Sequence, residues 1–414
     1  MQHFDVLIVG AGHAGVALVG QLAKSGYDGS VGILDGQDCR PYERPPLSKG
    51  YMLGEVRDED LLLRREDYWS KGNARLVTGT TVTRVDPGAR TVTTDSGEEI
   101  GYTHLVWATG ASARVLSMPG ADAENVLSVR TLEDARRLRT LAADARRAVL
   151  IGGGYIGLET AATLAELGKQ VTVVELQERL LARVAGTTIA EHLRRVHEDH
   201  GVRVLLGTGV SELGTTDGVV TSVTLTDGQT LPTDVLIVGI GVEPLVAPLV
   251  AAGATTGNGV LVDARCRTSL PNVYAIGDIA AQPNEFAGGA VVRLESVPNT
   301  TEQARLVAAD LSGAEPSRRG VPWFWSNQYG VRLQTAGILT GFDHEVPRHQ
   351  GDGPLVVGYF KDGRLIAADC VDAPRDFSMV KALLAAGGAV TAEEFADTSA
   401  PLGTLVKRSR AAVS

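Results

Sequence analysis

Residues 148–159 read AVLIGGGYIGLE and residues 171–175 read VTVVE; the fold turns on these two strings. Gly152, Gly154 and Gly157 satisfy GxGxxG. A largely β-branched apolar run precedes them, a helical pattern follows, and a second apolar strand ends on the carboxylate of Glu175. Residues 6–15, VLIVGAGHAG, repeat the pattern with Gly10, Gly12 and Gly15, and the next strand ends at Asp35. In each unit the first glycine makes a tight turn. The second lets the backbone approach a pyrophosphate, and the third lets the helix lie close on the sheet. Phosphates sit at the helix N-terminus, where unpaired N–H groups and the dipole favour negative charge. The acid, about 20 residues further on, accepts from ribose hydroxyls. One such motif is weak evidence, whereas two complete ones imply two dinucleotide sites in one chain. An oxidoreductase passing electrons between two dinucleotides explains that count most simply. The alternative is an α/β protein with two tight βα turns and no ligand.

The bulk numbers fit that reading. The 414 residues suffice for two or three domains with real cores. Hydrophobic content is 44% and charged content 21%, as in ordinary globular chains. A net charge of −10 argues against a nucleic-acid partner. The three cysteines, Cys39, Cys266 and Cys370, form no CxxC, so neither a redox pair nor a zinc ribbon is expected and no metal site is assigned. Their sparse, odd count suggests a reducing compartment. The first apolar run lacks a basic leader and enters the glycine turn directly, so it reads as a strand and not a signal peptide. No stretch is apolar for long enough to span a bilayer. The expectation is a cytoplasmic chain.

Outward from the two turns, RPYERPPLSK (residues 40–49) carries three prolines. They exclude regular helix until Ser48, a plausible N-cap, and imply a loop of fixed shape. Residues 80–94 alternate as a hairpin with Asp86-Pro87-Gly88 as the turn signal. LVWATG (105–110) is a short strand ending in a small-residue turn, and VLIVGIG (235–241) mirrors it in the second unit. A charged helix is expected after Arg130-Thr131-Leu132-Glu133-Asp134, and a hairpin near Asp217-Gly218 and Asp227-Gly228. VYAIGD (273–278) is a strand ending in an acid, and a long helix runs from about Asn299 to Leu311. From residue 321 onward, alternating strands (331–339, 355–360, 365–369) and a helix near 377–386 read as a third α/β domain.

Together with RLESVPN (293–299) and PWFWSNQ (322–328), these motifs resemble the FAD-dependent NADH:ferredoxin reductases of the putidaredoxin reductase and biphenyl dioxygenase reductase type. The resemblance runs in order over nearly the whole chain. It implies a glutathione-reductase-like α/β fold, with two Rossmann-type dinucleotide-binding domains and a C-terminal α/β interface domain. The FAD domain would occupy residues 1–112 and 243–319, the NADH domain 113–242 and the interface domain 320–414. It further implies noncovalent FAD, NADH as donor and a [2Fe–2S] ferredoxin as acceptor, which would feed a cytochrome P450 or a ring-hydroxylating oxygenase. A monomer or weak homodimer is expected.

Gly10, Gly12, Ala14 and Gly15 are expected to face the FAD pyrophosphate. Asp35 is the residue-based choice for the adenosine ribose; the family's usual acid aligns with Gly36, which would contribute only backbone. Family positions touching FAD correspond to Arg44, Pro45, Val82, Ala108, Thr109, Gly110, Arg130 and Gly277. Asp278 would hold the ribityl chain, although a carboxylate at a strand end also suits an N-cap. Glu295, Ser296 and Val297 would line the pyrimidine end of the flavin, just before a helix N-terminus whose dipole favours negative charge. Trp325 would stack at the flavin, while Trp323 reads as core. Lys49 and Glu159 resemble the partners beside the flavin N5 edge; the bland alternative is two helix-terminal charges that happen to pair. Hydride transfer needs no general base, so neither is given a proton-transfer role.

For the nicotinamide dinucleotide, Gly152, Gly154, Tyr155, Ile156 and Gly157 form the turn, with Gly241 on the mirrored strand. Glu175 would bind a free 2′-OH and repel a 2′-phosphate, favouring NADH, and nearby Arg179 and Arg183 would soften that preference. His192, His197 and His200 read as a solvated helix face. Docking of an acidic ferredoxin calls for a basic patch, for which Arg305, Arg318, Arg319, Lys407, Arg408 and Arg410 are candidates. Two competing readings remain. One is a flavin NADH oxidase or disulfide reductase working through Cys39. The other is a redox-sensing binding module of the apoptosis-inducing-factor type.

Overall fold

The computed structural model describes residues 1–71, 74–315, 318–349 and 353–413. The chain forms two compact units. The first comprises Met1–Glu43, Asp58–Ser112 and Glu243–Pro322; the second comprises Arg44–Arg57, Ala113–Val242 and the chain from Trp323 onward.

The first unit is built on a sheet of seven strands. Gln2–Val9 lies between Val31–Leu34 and Glu99–Trp107, parallel to both. Ala74–Val77 continues the parallel order beyond Val31–Leu34. The hairpin Val82–Asp86 and Thr91–Thr94 joins Glu99–Trp107 in antiparallel fashion, as its alternation predicts. Val273–Ala275 pairs parallel with Glu99–Trp107 as well. Alternate residues of the first strand enter two different cores: Leu7 and Val9 pack on one face, Val6 and Ile8 on the other. A parallel strand covered on both faces must be apolar throughout, which is why VLIV shows no alternation. The helices His13–Lys24 and Val297–Leu311 pack against each other in this unit.

The second unit repeats the arrangement. Arg147–Ile151 lies between Gln170–Val174 and Val235–Val238 in an all-parallel five-stranded sheet, completed by Arg203–Leu205 and Val126–Leu127. The charged helix is Leu132–Asp144. It begins inside the Arg130–Asp134 string, and not after it, because Thr131 and Asp134 form a reciprocal capping box at its start. The C-terminal part is an antiparallel sheet in the order Trp323–Gln328, Val331–Gly337, Arg364–Val371, Leu355–Lys361, His344–His349, covered by the helix Pro374–Ala385.

One local expectation is corrected. Ser48 caps no helix: Pro45–Ser48 is itself a 3₁₀ turn, with prolines at its first two positions. Those positions have no N–H partner to lose, so the prolines start the turn earlier instead of delaying it. The Ser48 hydroxyl is left to bond elsewhere.

Candidate functional site

The two glycine turns are built alike. Gly10 and Gly152 take φ of +105° and +106°, a region that only glycine enters easily. Their amides donate to Leu34 O (2.7 Å) and Val174 O (2.8 Å), closing each turn on the neighbouring strand. A Cβ on Gly15 would stand 2.1 Å from Gly10 O, and one on Gly157 2.3 Å from Gly152 O. The third glycine is therefore fixed by helix-to-turn packing in both units. A Cβ on Gly12 or on Gly154 would meet nothing within 4 Å. These two glycines are not required by the protein's own packing. The open space beside each, at a helix N-terminus, fits a pyrophosphate.

The acids at the strand ends also match. Asp35 Oδ2 accepts from Ala11 N (2.6 Å) and Oδ1 from Gln37 N (2.8 Å). Glu175 Oε2 accepts from Gly153 N (2.6 Å) and Oε1 from Gln177 N (2.8 Å). Asp35 thus holds in the first unit the place Glu175 holds in the second. At Gly36 a Cβ would meet Thr81 Oγ1 at 2.9 Å, so a side chain there would press on Thr81. Each carboxylate braces the glycine turn and keeps lone pairs for a further donor. Gly153, a variable position of the motif, is fixed as well: a Cβ would stand 2.5 Å from Leu180 Cδ2 and 3.1 Å from Glu175 Oε2.

Around the first turn, Ala14 and Ala108 are buried, and a Cβ on Gly277 would stand 3.0 Å from Ala14 Cβ. Gly277 N donates to Gln303 Oε1 (2.7 Å). The Thr109 hydroxyl donates to Leu245 O (2.9 Å), and Gly110 takes φ +71°. Val82 is buried at the start of its strand. Asp278 starts no helix: a turn leads to the strand Ala280–Pro283, so the N-cap alternative falls. Arg293 donates to Asp278 O (2.7 Å) and pairs with Glu295 at 2.7 Å. Ser296 is the N-cap of Val297–Leu311, accepting from Asn299 N (3.3 Å).

In the second unit, Lys49 Nζ lies 2.6 Å from Glu159 Oε2. Glu159 is 2% exposed, on the helix Tyr155–Glu166, so the pair is built into the unit's interior on its carboxylate side. The Ser48 hydroxyl also donates to Oε2 (2.7 Å), and the Ser326 hydroxyl donates to Oε1 (2.6 Å). Three donors compensate the buried carboxylate, as burial of charge requires. Thr163 Oγ1 donates to Ser48 O (2.8 Å), and Lys49 Nζ reaches Pro45 O (3.2 Å), so the proline turn and the helix are tied together. Trp325 adjoins Ser326 and is half-buried, its ring 5.5 Å from that of Trp323. Trp323 is half-buried and not core; the Lys381 ammonium lies 5.1 Å over its ring. Tyr155 packs on Phe324 (4.7 Å), and burial pushes its hydroxyl pKa up. Ile156, at the turn, is 48% exposed. Arg183 approaches Gly241, whose φ is +105°. Arg44 precedes the 3₁₀ turn, and Arg130 N donates to Asp134 Oδ2 just before its helix.

The structure corrects the histidines. His197 is fully buried and not solvated: its Nε2 lies 2.8 Å from Gln328 Oε1, and burial pushes its pKa down. His192 is half-buried, whereas His200 is exposed. The Arg- and Glu-rich composition of that helix masked its inner stripe, Ile189, Ala190, Leu193 and His197, which recurs at helical spacing. Three of the six candidates for a basic patch pair with carboxylates. Arg305 pairs with Glu302 (2.6 Å), Arg318 with Glu285 (3.3 Å) and Arg408 with Glu394, while Arg319 bonds Gln282. The side chain of Arg410 lies outside the described residues. Among the described residues no cluster of His, Cys, Asp and Glu could hold a metal, and no helix is long and apolar enough to cross a membrane.

Residues 4–304 match the pyridine nucleotide-disulphide oxidoreductases and residues 323–406 the Reductase C-terminal family. The chain belongs to the pyridine nucleotide-disulphide oxidoreductase family, and it is an oxidoreductase using FAD and NAD(H). It is 44% identical over 409 residues to the 5,5′-dehydrodivanillate O-demethylase ferredoxin reductase subunit of a Sphingobium species, covering 98% of this chain and 99% of that one. It is 45% identical over 388 residues to a ferredoxin–NAD(P)(+) reductase of a Sphingomonas species, covering 93% of each. The reductase in a solved covalent putidaredoxin reductase–putidaredoxin complex superposes with a TM-score of 0.95 at 35% identity, covering 99% of both chains.

Proposed function

We propose that this chain carries electrons from NADH to a [2Fe–2S] ferredoxin that supplies a cytochrome P450 or ring-hydroxylating oxygenase. The observation that carries the reading is the pair of matched glycine turns, one in each unit, in a chain whose full-length relatives include ferredoxin reductases. FAD, when bound, supplies the conversion of a two-electron donation into one-electron steps. Residues 1–112 and 243–319 are assigned to FAD, 113–242 to NADH and 320–414 to the interface domain. The first unit's turn, with Gly10, Gly12 and Gly15, would hold the FAD pyrophosphate, and Asp35 its ribose. The second unit's turn, with Gly152, Gly154 and Gly157, would hold the NADH pyrophosphate. Glu175 there accepts a ribose hydroxyl and repels a 2′-phosphate. Lys49, Glu159 and Trp325 are the second unit's contribution to electron transfer. Glu159 holds the ammonium of Lys49 in one orientation, so that its positive charge is already in place when negative charge develops. We place the chain in the cytoplasm, as a monomer or weak homodimer.

The test is anaerobic titration of the FAD-loaded chain with NADH, followed by stopped-flow mixing with an oxidised [2Fe–2S] ferredoxin. Stoichiometric bleaching by NADH, then reduction of about two ferredoxins per NADH, is expected from the electron count. A ferredoxin that stays oxidised while oxygen is consumed would overturn the reading.

A further inference from the structure

His197 stands at one end of an unbroken chain of hydrogen bonds that finishes on Lys49. Gln328 Nε2 donates to Ser326 Oγ (3.1 Å), Ser326 Oγ donates to Glu159 Oε1 (2.6 Å), and Glu159 Oε2 holds Lys49 Nζ (2.6 Å). His197 Nε2 meets Gln328 Oε1 at 2.8 Å, and Tyr329 Oη lies 3.4 Å from His197 Nδ1. His197, Gln328, Ser326 and Glu159 are all buried.

The protons in this chain follow from counting. A carboxylate only accepts, so Ser326 gives its single proton to Glu159. Ser326 must then accept from Gln328, which directs the amide nitrogen toward it. The amide oxygen therefore faces His197, and the imidazole presents Nε2–H. Nδ1 is left as an acceptor with the Tyr329 hydroxyl beside it. Every donor points toward Glu159. An amide cannot pass a proton along without becoming its imidic form, so the chain orients and does not conduct.

We propose that His197 is a positioning residue for the Lys49–Glu159 pair, acting through Gln328 and Ser326. Nε2–H selects one of the two flips of the Gln328 amide. With that donor gone, the opposite flip puts the amide oxygen on Ser326, and the Ser326 proton turns away from Glu159. The carboxylate then loses the bond that fixes Oε1 and is held only at Oε2, by Ser48 and Lys49, so its plane can turn about that end and the ammonium is no longer set in one orientation. The inference rests on the reading that Lys49 and Glu159 serve the transfer of hydride from NADH.

The experiment uses the FAD-loaded full chain and its variants His197→Leu, His197→Gln, Gln328→Met, Glu159→Gln and the double variant His197→Leu/Glu159→Gln. Single-turnover reduction by NADH is expected to slow about tenfold in His197→Leu and in Gln328→Met, with NADH affinity held. The slowing is expected to recover in His197→Gln, whose amide restores a donor, and to vanish in the Glu159→Gln background. A second readout needs no turnover. The ¹³C signal of the Glu159 carboxylate is expected to move in His197→Leu and to return in His197→Gln, and ¹⁵N spectra are expected to find His197 neutral with its proton on Nε2. Equal slowing by His197→Leu in both backgrounds would mean a merely structural histidine and overturn the proposal, as would an unmoved Glu159 signal. Should His197→Leu fail to fold, Gln328→Met decides between the same outcomes. Failure of the underlying reading looks different: Glu159→Gln alone would leave reduction by NADH unchanged while the carboxylate signal still responds to His197.

Discussion

Asp369 is fully buried and accepts from the hydroxyls of Thr335 and Tyr359. Burial nevertheless dominates and pushes its pKa up to about 6, with Glu345 nearby adding to the rise. An unfolded aspartate titrates near ~3.9. Between those values the folded chain binds the extra proton, so stability falls as pH rises through about 4 to 6 and is flat above. A shift of about two units corresponds to ~3 kcal/mol. Asp369→Asn is expected to remove that slope from the unfolding midpoint measured across this window; an unchanged slope would locate the titration elsewhere. Glu175 offers a second residue-scale prediction. Its carboxylate braces Gly153 N and Gln177 N, so truncation to alanine would loosen the turn as well as remove charge. Glu175→Gln keeps the side-chain length and one of the two acceptors while removing the charge, and is expected to narrow the NADH over NADPH preference by about tenfold in kcat/KM. An unchanged ratio would sink the cofactor assignment. Glu175 and Asp35 were legible because the fingerprint fixes their distance from the glycines. The burial of His197 was not, because its partner Gln328 lies more than a hundred residues away in the chain and its helix advertises charge.

At the scale of elements, the matched turns separate two duties that the sequence motif runs together. Gly154→Ala adds a methyl that meets no protein atom, while Gly157→Ala drives one into Gly152 O. The first is expected to leave the unfolding midpoint unchanged and weaken NADH binding. The second is expected to destabilise the unit by ~1–3 kcal/mol or more, as overpacking does. Similar midpoints for the two variants would contradict this division. The helix Thr187–Asp199 is capped from outside: its second residue, Thr188, donates from both N and Oγ1 to Glu345 Oε1 (2.9 and 2.7 Å). Glu345→Ala leaves that helix end without its acceptor and is expected to cost ~0.5–2 kcal/mol, read as a lower unfolding midpoint. Elements carrying their own start signals were readable: the capping box at Thr131, the Asp86-Pro87-Gly88 turn and the helix beginning beside Ser296. The 3₁₀ turn at Pro45–Ser48 was not, because prolines that forbid an α-helix interior are welcome in its first turn. Nor does local pattern reveal that a distant strand supplies the cap of Thr187–Asp199.

For the molecule as a whole, the sharpest division among the competing chemistries falls on Cys39. It is half-buried, and no disulfide joins the cysteines among the described residues. Cys266 and Cys370 are fully buried; burial pushes the first thiol up to about 12 and the second well above its ordinary range, which keeps both protonated and unreactive. A thiol-active cycle would therefore fall to Cys39 alone, with a substrate sulfur as its only partner for exchange. The duplicated dinucleotide turns ask for no thiol: in the proposed ferredoxin cycle, electrons delivered by NADH would leave singly to the acceptor without any bond to sulfur forming on the chain. Cys39→Ser is accordingly expected to keep both the rate of bleaching by NADH and the rate of ferredoxin reduction within about twofold of the parent, a change on the order of RT that a near-isosteric substitution can produce. The parent and the variant, mixed anaerobically with NADH and then with oxidised ferredoxin in the same stopped-flow series, give the two rates side by side. If the serine chain bleaches normally but no longer passes electrons onward, or if only the parent turns over a small disulfide, the cysteine is part of the electron path and the ferredoxin reading gives way to the thiol one.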